Sequence, residues 1–422
     1  MRSTTAVVIG LCLCVSGCKS PQARPEVVLH LSNWGGADDD AEYSRHINDL
    51  YRQFERENPG IKVEIESVPN EYVQKMILSF VADTAPDVLS LDASSAAVFV
   101  NNGVVKDLRS FVETDPGFKT SDYWPNVFSI DRRDQAIYAI PGDFTPLVIY
   151  YNKKLFDRAH VPYPSGHWTF QQFLDTAKKL TLRDKDGKVI QYGFNLTNWM
   201  PGWIVWLWNN GGDVLTPSGQ AAAGALDSDK NVESITFLRD LITKDKVAPD
   251  LSQTAATGVD PFGNGTVAME MSGHWEMPGF KNAPNLHLSD VGVTEVPTQL
   301  PQSRTVMYEV GFAMPKNAKH PAESWKLIKY LTSHLYQSSY QQTGIAVCAR
   351  KDVAIERAKD PREQKFLDIV PSARGPWGAN VVGYDFVEQE GKKMMERVLA
   401  GTDPRESLHE MADRIDGYFK VK

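Results

Sequence analysis

The stretch AIPGDFTPLVIYYN, residues 139–152, holds two apolar segments separated by a segment with two prolines and a glycine. Pro146 has no backbone N–H and disfavours the helical conformation for Thr145, so the stretch is predicted to be extended. The β-branched and aromatic residues at 147–151 are typical of a strand within a sheet. This pattern predicts a hinge-like crossing between two lobes. An ordinary loop before a buried strand is the alternative.

The overall composition is that of a globular protein with two or three folding units. The chain has 422 residues, of which 42% are hydrophobic and 23% are charged. Beyond the N-terminus, no apolar run is long enough to span a membrane. The formal net charge is −8, and no dense basic tract interrupts the sequence. We therefore predict no nucleic-acid partner, because the chain offers no basic surface for a phosphate backbone.

The first eighteen residues have the pattern of an export signal. Arg2 precedes an apolar run at residues 6–15, and small residues then lead to a cysteine. The stretch Val15-Ser16-Gly17-Cys18 resembles the lipobox of bacterial lipoproteins, which implies that Cys18 carries lipid and anchors the protein outside the cytoplasm. A plain secretory signal that is cut nearby is the alternative. Residues 19–26 are polar and proline-rich, which predicts a tether.

A single cysteine, Cys348, lies outside this leader. Because Cys12 and Cys14 leave with the signal and Cys18 carries lipid, we predict no intramolecular disulfide and no cysteine-based zinc site. Cys348 is expected to fill space in the core. The histidines form no metal-binding motif, and the chain has neither a nucleophile elbow nor a phosphate-binding loop. We predict no metal, no cofactor and no catalytic residues.

After the tether, strand patterns alternate with helix patterns. The strand patterns lie at residues 27–31, 61–65 and 85–94, and the helix patterns lie between them, the second at 72–81. This alternation predicts an α/β fold with a parallel sheet. Ligands of such sheets bind beyond the carboxyl ends of the strands. The residues predicted at those ends, and therefore in a ligand site, are Trp34, Asp92 and Ser94.

Short motifs spread over most of the chain resemble one protein family. The chain is similar to the maltose-binding-protein-like extracellular solute-binding proteins that serve bacterial ABC sugar importers. No single motif is specific to this family, but the order and spacing of the motifs together are specific to it. The motifs are Phe54-Glu55-x-Glu57-Asn58-Pro59-Gly60-Ile61-Lys62-Val63, Ala85-Pro86-Asp87-Val88, Tyr150-Tyr151-Asn152-Lys153-x-Leu155-Phe156, Trp168-Thr169-Phe170-x-x-Phe173, Phe262-x-x-Gly265-x-x-Ala268-Met269 and Pro321-Ala322-x-Ser324-Trp325.

The resemblance implies a two-lobed periplasmic-binding-protein-like fold of the α/β class with three hinge crossings, at residues 139–152, 266–272 and 307–315. It implies an N-terminal lobe of residues 27–143 and 266–310 and a C-terminal lobe of residues 144–265 and 311–422. A monomer of this kind binds a carbohydrate between its lobes and delivers it to the membrane subunits of an ABC permease. It has no enzymatic activity.

Aromatic side chains are the first candidates for a carbohydrate site, because the C–H groups of a pyranose face stack on an indole ring. The densest cluster surrounds Trp199 and Trp203, which lie near a Pro-Gly pair where a helix is predicted to begin. Trp203 is the stronger candidate of the two, and a buried core stripe is the alternative. Trp275 follows the second predicted crossing and is expected to face the cleft.

Polar candidates come from the other two crossings and from one loop. Asp143 and Phe144 in the first crossing and Glu309 in the third are predicted to line the cleft floor, where a carboxylate can accept two sugar hydroxyls. Hinge capping is the alternative for these three residues. Arg374 and Trp377 lie in a loop rich in glycine and proline. They are further ligand candidates, with an ordinary surface turn as the alternative.

Two other functions are compatible with the same residues. A glycoside-active enzyme would use Asp143 and Glu309 as a carboxylate pair, which requires both groups to flank one glycosidic bond. An extracytoplasmic sugar sensor for a signalling receptor would need no residue that a transport protein lacks. The chain itself does not distinguish transport from sensing.

Overall fold

The computed structural model describes residues 26–34, 41–164, 166–251, 260–376 and 383–421. The predicted export signal, Cys18 and nearly all of the predicted tether lie outside these residues. Strands β1 to β14 of the described chain run at Val27–Asn33, Ile61–Ser67, Val88–Asp92, Arg132–Arg133, Ala136–Ile137, Ala139–Pro146, Val148–Asn152, Leu182–Arg183, Val189–Gln191, Met269–Ser272, Val291–Thr294, Thr305–Ala313, Val347–Cys348 and Ala373–Arg374.

Helices cover the faces of the sheets. In the described chain, α1 to α16 run at Ala41–Glu57, Tyr72–Val81, Ala96–Asn101, Arg109–Thr114, Pro125–Phe128, Lys153–Arg158, Phe170–Leu180, Met200–Asn209, Asp229–Thr243, Met277–Asn282, Pro321–Leu331, His334–Tyr340, Lys351–Arg357, Pro361–Ile369, Tyr384–Leu399 and Pro404–Val421. Among the helices described, none combines the length and apolarity needed to cross a membrane.

The larger sheet is mixed, with the strand order β13-β6-β12-β3-β1-β2 and β14 beside β12. Strand β1 runs parallel to β2 and β3, as the sequence predicts. The long strand β12 runs antiparallel to both β3 and β6. The prediction of a parallel sheet is therefore right for the first three strands and wrong where β12 lies between β3 and β6, because β12 runs opposite to both neighbours.

The first lobe packs its helices on this sheet through the residues that the helical pattern indicates. Leu50 and Phe54 of α1 are buried, and the ring of Phe54 lies 5.2 Å from that of Tyr330 in α11. The Tyr330 hydroxyl donates a 2.7 Å hydrogen bond to the Leu50 carbonyl oxygen. Helix α11 thus belongs to the core of the first lobe, although it lies far along the chain.

The second lobe is built around α8 and a three-stranded sheet of order β10-β7-β11. Every residue of α8 is buried, which is expected of a helix without a polar face. The Trp206 ring packs edge-on against Phe170 and Phe173 at 5.2 and 5.1 Å. Trp206 and Trp208 are core residues, both 0% exposed.

Strand pairing corrects the predicted course of the chain between the lobes. The segment 266–272 was predicted to cross between the lobes. It contains β10, and all four residues of β10 pair with β7 inside the three-stranded sheet. The helix α11, expected in the C-terminal lobe, packs in the first lobe. We propose that the described residues between 26 and 143 and those at 310–346 form the first lobe, and that the described residues between 146 and 306 and between 373 and 421 form the second.

Candidate functional site

A cavity of about 760 Å³ lies where the two lobes face each other across β6 and β12. This volume is in the range typical of small-molecule sites. The first lobe contributes Trp34, Tyr51 and Asp92 to its walls, and the second contributes Trp199 and Trp275. Other residues that line it are Leu31, Asn33, Ile47, Asn48, Ile65, Ser67, Ser90, Asp143, Thr145, Tyr308, Glu309, Val310, Phe312, Tyr336, Gln337, Tyr340, Ile345 and Ala346.

The floor of the cavity is formed by one face of the paired strands β6 and β12. Thr145 pairs with Tyr308 and Asp143 pairs with Val310, and all four residues line the cavity. Successive side chains of a strand point to opposite faces. Phe144 and its partner Glu309 therefore place their side chains on the far face, and both are 0% exposed.

Asp143 is the carboxylate of the floor. Its Oδ2 accepts a 2.9 Å hydrogen bond from the hydroxyl of Tyr340. Burial raises the pKa of Asp143 to about 7, while the Tyr340 bond and the nearby His274 act in the opposite direction. Asp143 is partly exposed at the floor of the cavity, where its carboxyl group can form a hydrogen bond with a hydroxyl of a bound molecule.

Three aromatic rings form the wall on the side of the second lobe. Trp199 precedes α8 and stacks on Tyr308 with ring centroids 5.4 Å apart and an angle of 20° between the planes. Trp275 meets both rings edge-on, at 6.1 Å from each. The Trp275 indole N–H donates to Glu276 Oε1 at 3.0 Å, which fixes the orientation of the ring. The wall therefore presents rigid aromatic surface to the cavity.

The opposite wall carries Trp34, whose ring lies 4.6 Å from that of Tyr72. Asp92 lies at the carboxyl end of β3, as predicted. Its carboxylate accepts hydrogen bonds from the backbone and hydroxyl groups of Ser94 and Ser95. These bonds cap the turn into α3, so Ser94 supports Asp92 and does not line the cavity itself.

Three of the other predicted site residues lie away from the cavity, and these three predictions need correction. Trp203 is 0% exposed in the core of the second lobe, and Phe144 is equally buried on the far face of β6. The Arg374 guanidinium lies 4.5 Å above the Trp208 ring and 3.2 Å from Asp213 Oδ2, away from the cavity. Trp377 lies outside the described residues.

Glu309 forms a carboxyl pair with Asp131 beneath the cavity floor. A β-carbon at Gly311 would lie 2.7 Å from Asp131 Oδ2 and 2.8 Å from Glu309 Oε1, which explains a glycine between them. In the described part of the chain, none of the four oxygens of these two carboxyl groups has a hydrogen-bond donor. We therefore expect the two groups to share a proton, so that one of them is a carboxylic acid.

Burial raises the pKa of both groups. The pKa of Asp131 rises to about 6, although its hydrogen bond with Glu309 and the charge of Arg133 act in the opposite direction. The pKa of Glu309 rises well above its usual value, because Asp131 adds to the effect of burial. Asp143 and Asp92 raise the pKa of Glu309 further. An acid with a raised pKa in the folded state stabilises the fold at low pH, and this contribution is lost as pH rises.

Replacing Glu309 by glutamine is expected to reduce this pH dependence. The amide can donate to Asp131 without a proton from solvent, so the difference in unfolding free energy between pH 5 and pH 8 should shrink by about 1 kcal/mol or more. Denaturant melts of the variant and of a surface control, Glu406→Gln, measure this difference. An undiminished pH dependence in Glu309→Gln would contradict the shared proton.

The same geometry excludes the carboxylate pair required by a glycosidase. Asp143 and Glu309 lie on adjacent strands, but their side chains point to opposite faces of the sheet. They cannot flank one glycosidic bond in the cavity. Within the described ranges, no group of three or more histidine, cysteine, aspartate or glutamate residues is arranged to hold a metal ion.

The charge of the lining residues bears on the class of ligand that the cavity can bind. Among the described residues that line the cavity, none is lysine, arginine or histidine. The lining instead offers amide, hydroxyl and carboxylate groups beside the aromatic rings. Sequence reasoning missed most of these polar groups. Tyr308 and Thr145 could have been found by assigning alternate residues of the crossings to one face, whereas Tyr340, Asn48 and Gln337 lie on helices with no distinctive motif.

Comparison with known proteins identifies the family of this two-lobed molecule. A family model described as bacterial extracellular solute-binding protein matches residues 36–338, which is more than two thirds of the chain. The chain belongs to the bacterial extracellular solute-binding protein family. It is accordingly a binding protein and not an enzyme. Its family places it outside the cytoplasm.

Individual relatives cover nearly the whole length of this solute-binding protein. The galactooligosaccharide-binding protein of Bacillus subtilis is 22% identical over 439 residues, covering 99% of this chain and 96% of the relative. An ABC substrate-binding protein from Listeria monocytogenes, solved in complex with cycloalternan, has a TM-score of 0.81 at 23% identity and covers 94% of this chain and 100% of its own.

A third similar structure contains a different kind of ligand. UgpB from Mycobacterium tuberculosis, solved in complex with glycerophosphocholine, has a TM-score of 0.77 at 18% identity and covers 95% of this chain and 100% of its own. At these identities the similarity shows the fold alone. The two-lobed α/β fold predicted from the sequence is thereby confirmed, whereas the ligand must be inferred from the cavity of this chain.

Proposed function

We propose that this protein binds an uncharged sugar or oligosaccharide between its lobes and delivers it to an ABC permease. The observation that carries the proposal is the lining of the cavity. Aromatic rings face the cavity from both lobes, with Trp34 on one side and Trp199 and Trp275 on the other. Hydroxyl, amide and carboxylate groups lie between these walls, among them Asp143 and Asn48.

This lining matches the two kinds of surface that a sugar presents. The C–H groups of a pyranose face pack on aromatic rings, while the hydroxyls point outward to hydrogen-bonding groups. The volume of about 760 Å³ has room for more than one sugar ring. The relatives whose names or complexes include a galactooligosaccharide or cycloalternan support the same class of ligand.

A phosphate ester is a second candidate, because one similar structure holds glycerophosphocholine. Phosphate groups are bound by arginine, lysine or helix N-termini in most sites. The described residues lining this cavity include the carboxylates Asp92 and Asp143 and no basic side chain. A phosphate there would face negative charge without a counter-ion, so the lining favours the uncharged sugar.

A thermal-shift screen tests the proposal. The panel contains maltose, maltotriose, galactobiose, a cyclic glucose tetrasaccharide and sn-glycerol 3-phosphate. A ligand present at about 100 times its dissociation constant adds roughly 2.7 kcal/mol of stability. We expect at least one uncharged sugar to raise the melting temperature by several degrees. A rise with the phosphate ester alone would contradict the assignment.

We propose further that the mature protein is lipid-anchored through Cys18, because small residues precede this cysteine after an apolar run. Mass spectrometry of the mature N-terminus is expected to find an acylated Cys18, and the protein should fractionate with membranes. Cys18→Ser serves as the control, in which the membrane fraction should be lost. A wild-type protein with an unmodified N-terminus at another residue would refute the anchor.

A further inference from the structure

His274 is a buried histidine whose two ring nitrogens both face oxygen atoms. It lies two residues after the end of β10 and is 1% exposed. Nδ1 lies 2.8 Å from the carbonyl oxygen of Gly344, and Nε2 lies 3.0 Å from Glu363 Oε2. A carbonyl oxygen only accepts hydrogen bonds, so Nδ1 must carry a hydrogen. A neutral imidazole has one N–H group, which would leave a bare Nε2 facing the carboxyl group.

The environment of Glu363 indicates that this carboxyl group is ionised. Burial alone would raise its pKa, but the hydrogen bond and charge of His274, together with the Arg357 charge, outweigh burial and lower it. The Arg357 Nε lies 3.8 Å from Glu363 Oε1. A Glu363 carboxylate and the Gly344 carbonyl both accept hydrogen bonds, so both nitrogens of His274 can donate at once only when the ring is an imidazolium.

The other charged and titratable groups near the ring come from three elements. Asp143 on β6 interacts electrostatically with His274. Cys348 on β13 has its pKa raised by burial and by Asp143. Arg357 on α13 is the nearby cation. The ring of Phe366 on α14 lies 4.8 Å away. Glu363 is thus the acidic group in direct contact with the His274 ring, and the Arg357 guanidinium lies beside Glu363.

His274 connects three segments of the cavity wall. Its backbone N–H donates a 2.7 Å hydrogen bond to Thr145 Oγ1 on the floor. Its ring holds Gly344, which directly precedes the lining residues Ile345 and Ala346. Its neighbour in sequence is Trp275 of the aromatic wall. His274 itself does not line the cavity, so any influence on a ligand passes through these neighbours.

We propose that His274 is a positioning residue of the sugar cavity, which as an imidazolium holds Trp275 and residues 344–346 in the geometry that binds the ligand. This inference rests on the proposed sugar-binding function. When the ring loses a proton, either the Gly344 carbonyl or the Glu363 carboxylate faces a nitrogen lone pair and is repelled. Ligand affinity should therefore be highest where the ring is charged and should fall as pH rises.

The charge of the ring is tested without any ligand. Long-range proton–nitrogen NMR of the mature protein with ¹⁵N-labelled histidine distinguishes an imidazolium from either neutral tautomer. The His274 signal is assigned by its loss in His274→Gln. We expect an imidazolium at pH 6 that persists to a higher pH in the wild type than in Glu363→Gln. A neutral tautomer at pH 6 would overturn the proposal.

The positioning role is tested by hydrogen exchange and by affinity. In His274→Gln, peptides covering residues 272–277 and 341–346 should exchange faster than in the wild type. The wild-type protein is titrated calorimetrically with the sugar that stabilises it most in the panel. Its affinity should be about tenfold weaker at pH 8.5 than at pH 6, which is the effect expected for losing one charged hydrogen bond. The His274→Gln variant should bind the sugar weakly at both pH values. Any pH dependence of affinity that remains in this variant is caused by the titration of Asp143.

His409→Gln is the matched control, because His409 is exposed and pairs with Asp227 on the surface. It should keep the wild-type pH profile and exchange pattern. An unchanged pH profile in His274→Gln would overturn the proposal. If His274→Gln does not fold, Glu363→Gln replaces it, with the same expectation of faster exchange in residues 272–277. If no sugar binds, the proposed sugar-binding function is wrong. The NMR and hydrogen-exchange measurements still test the charge of the His274 ring and its effect on the neighbouring segments.

Discussion

Trp203→Ala is expected to lower the free energy of unfolding by about 3 to 5 kcal/mol, the usual cost of deleting a large buried aromatic side chain. The Trp203 ring is 0% exposed, and a β-carbon at Gly391 would lie only 2.8 Å from its Cζ2 atom. The ring therefore fills space between α8 and α15. Denaturant melts of the purified variant measure the loss.

The same variant should bind its ligand with unchanged affinity wherever it remains folded, because Trp203 does not line the cavity. Trp203→Phe is the matched control and should lose less stability, since it keeps most of the apolar ring. A Trp203→Ala protein that is as stable as the wild type but binds sugar more than tenfold more weakly would contradict the core assignment.

Trp275→Ala is expected to show the opposite pattern. The ring is partly exposed, lines the cavity and meets Trp199 and Tyr308 edge-on. Removing a desolvated aromatic contact with the ligand costs about 2 kcal/mol or more of binding free energy, which weakens the affinity by more than tenfold. Calorimetric titration with the sugar selected by the thermal-shift screen measures this loss.

The matched control for Trp275 is Tyr163→Ala, because Tyr163 is an exposed aromatic residue that does not line the cavity. This control should bind as the wild type does. The stability of Trp275→Ala should change much less than that of Trp203→Ala, since its ring is not enclosed. Wild-type affinity in a folded Trp275→Ala protein would remove Trp275 from the site.

The first lobe was predictable because its elements are marked by local periodicity. The helix predicted at residues 72–81 has the bounds Tyr72–Val81, and the strand pattern after Gly60 became β2 at Ile61–Ser67. Cys348 is buried, as expected, and its thiol donates to the Gln337 carbonyl oxygen at 3.1 Å. Such features depend on neighbouring residues, which a sequence shows directly.

The site residues were harder to predict, because they depend on register and on helix orientation. A shift of one position moves a strand side chain to the other face. The sequence located the crossing strand but not its register. Glu309 borders the cavity as predicted but is 0% exposed, whereas its neighbour Tyr308, which was not predicted, contributes its ring to the aromatic wall. Similarly, Trp199 and Trp203 are four residues apart, yet one lies in the cavity wall and the other lies in the core.

The course of the chain between lobes required long-range contacts that no local pattern shows. Strand β10 has the alternating apolar character expected of a crossing, but it pairs with β7 inside the second lobe. Helix α11 follows a crossing strand and has an ordinary amphipathic pattern. Its place beside α1 is fixed by the hydrogen bond from Tyr330 to Leu50, 280 positions apart in sequence.

Calorimetric titration of the wild-type protein with the uncharged sugars of the panel and with sn-glycerol 3-phosphate tests the central claim most directly. We predict saturable binding of at least one uncharged sugar at a stoichiometry of about one per chain, as expected of a single site. The phosphate ester should not bind, because the described lining of the cavity includes two acidic side chains, Asp92 and Asp143, and no basic side chain. Binding of the phosphate ester with no heat from any sugar would contradict the account.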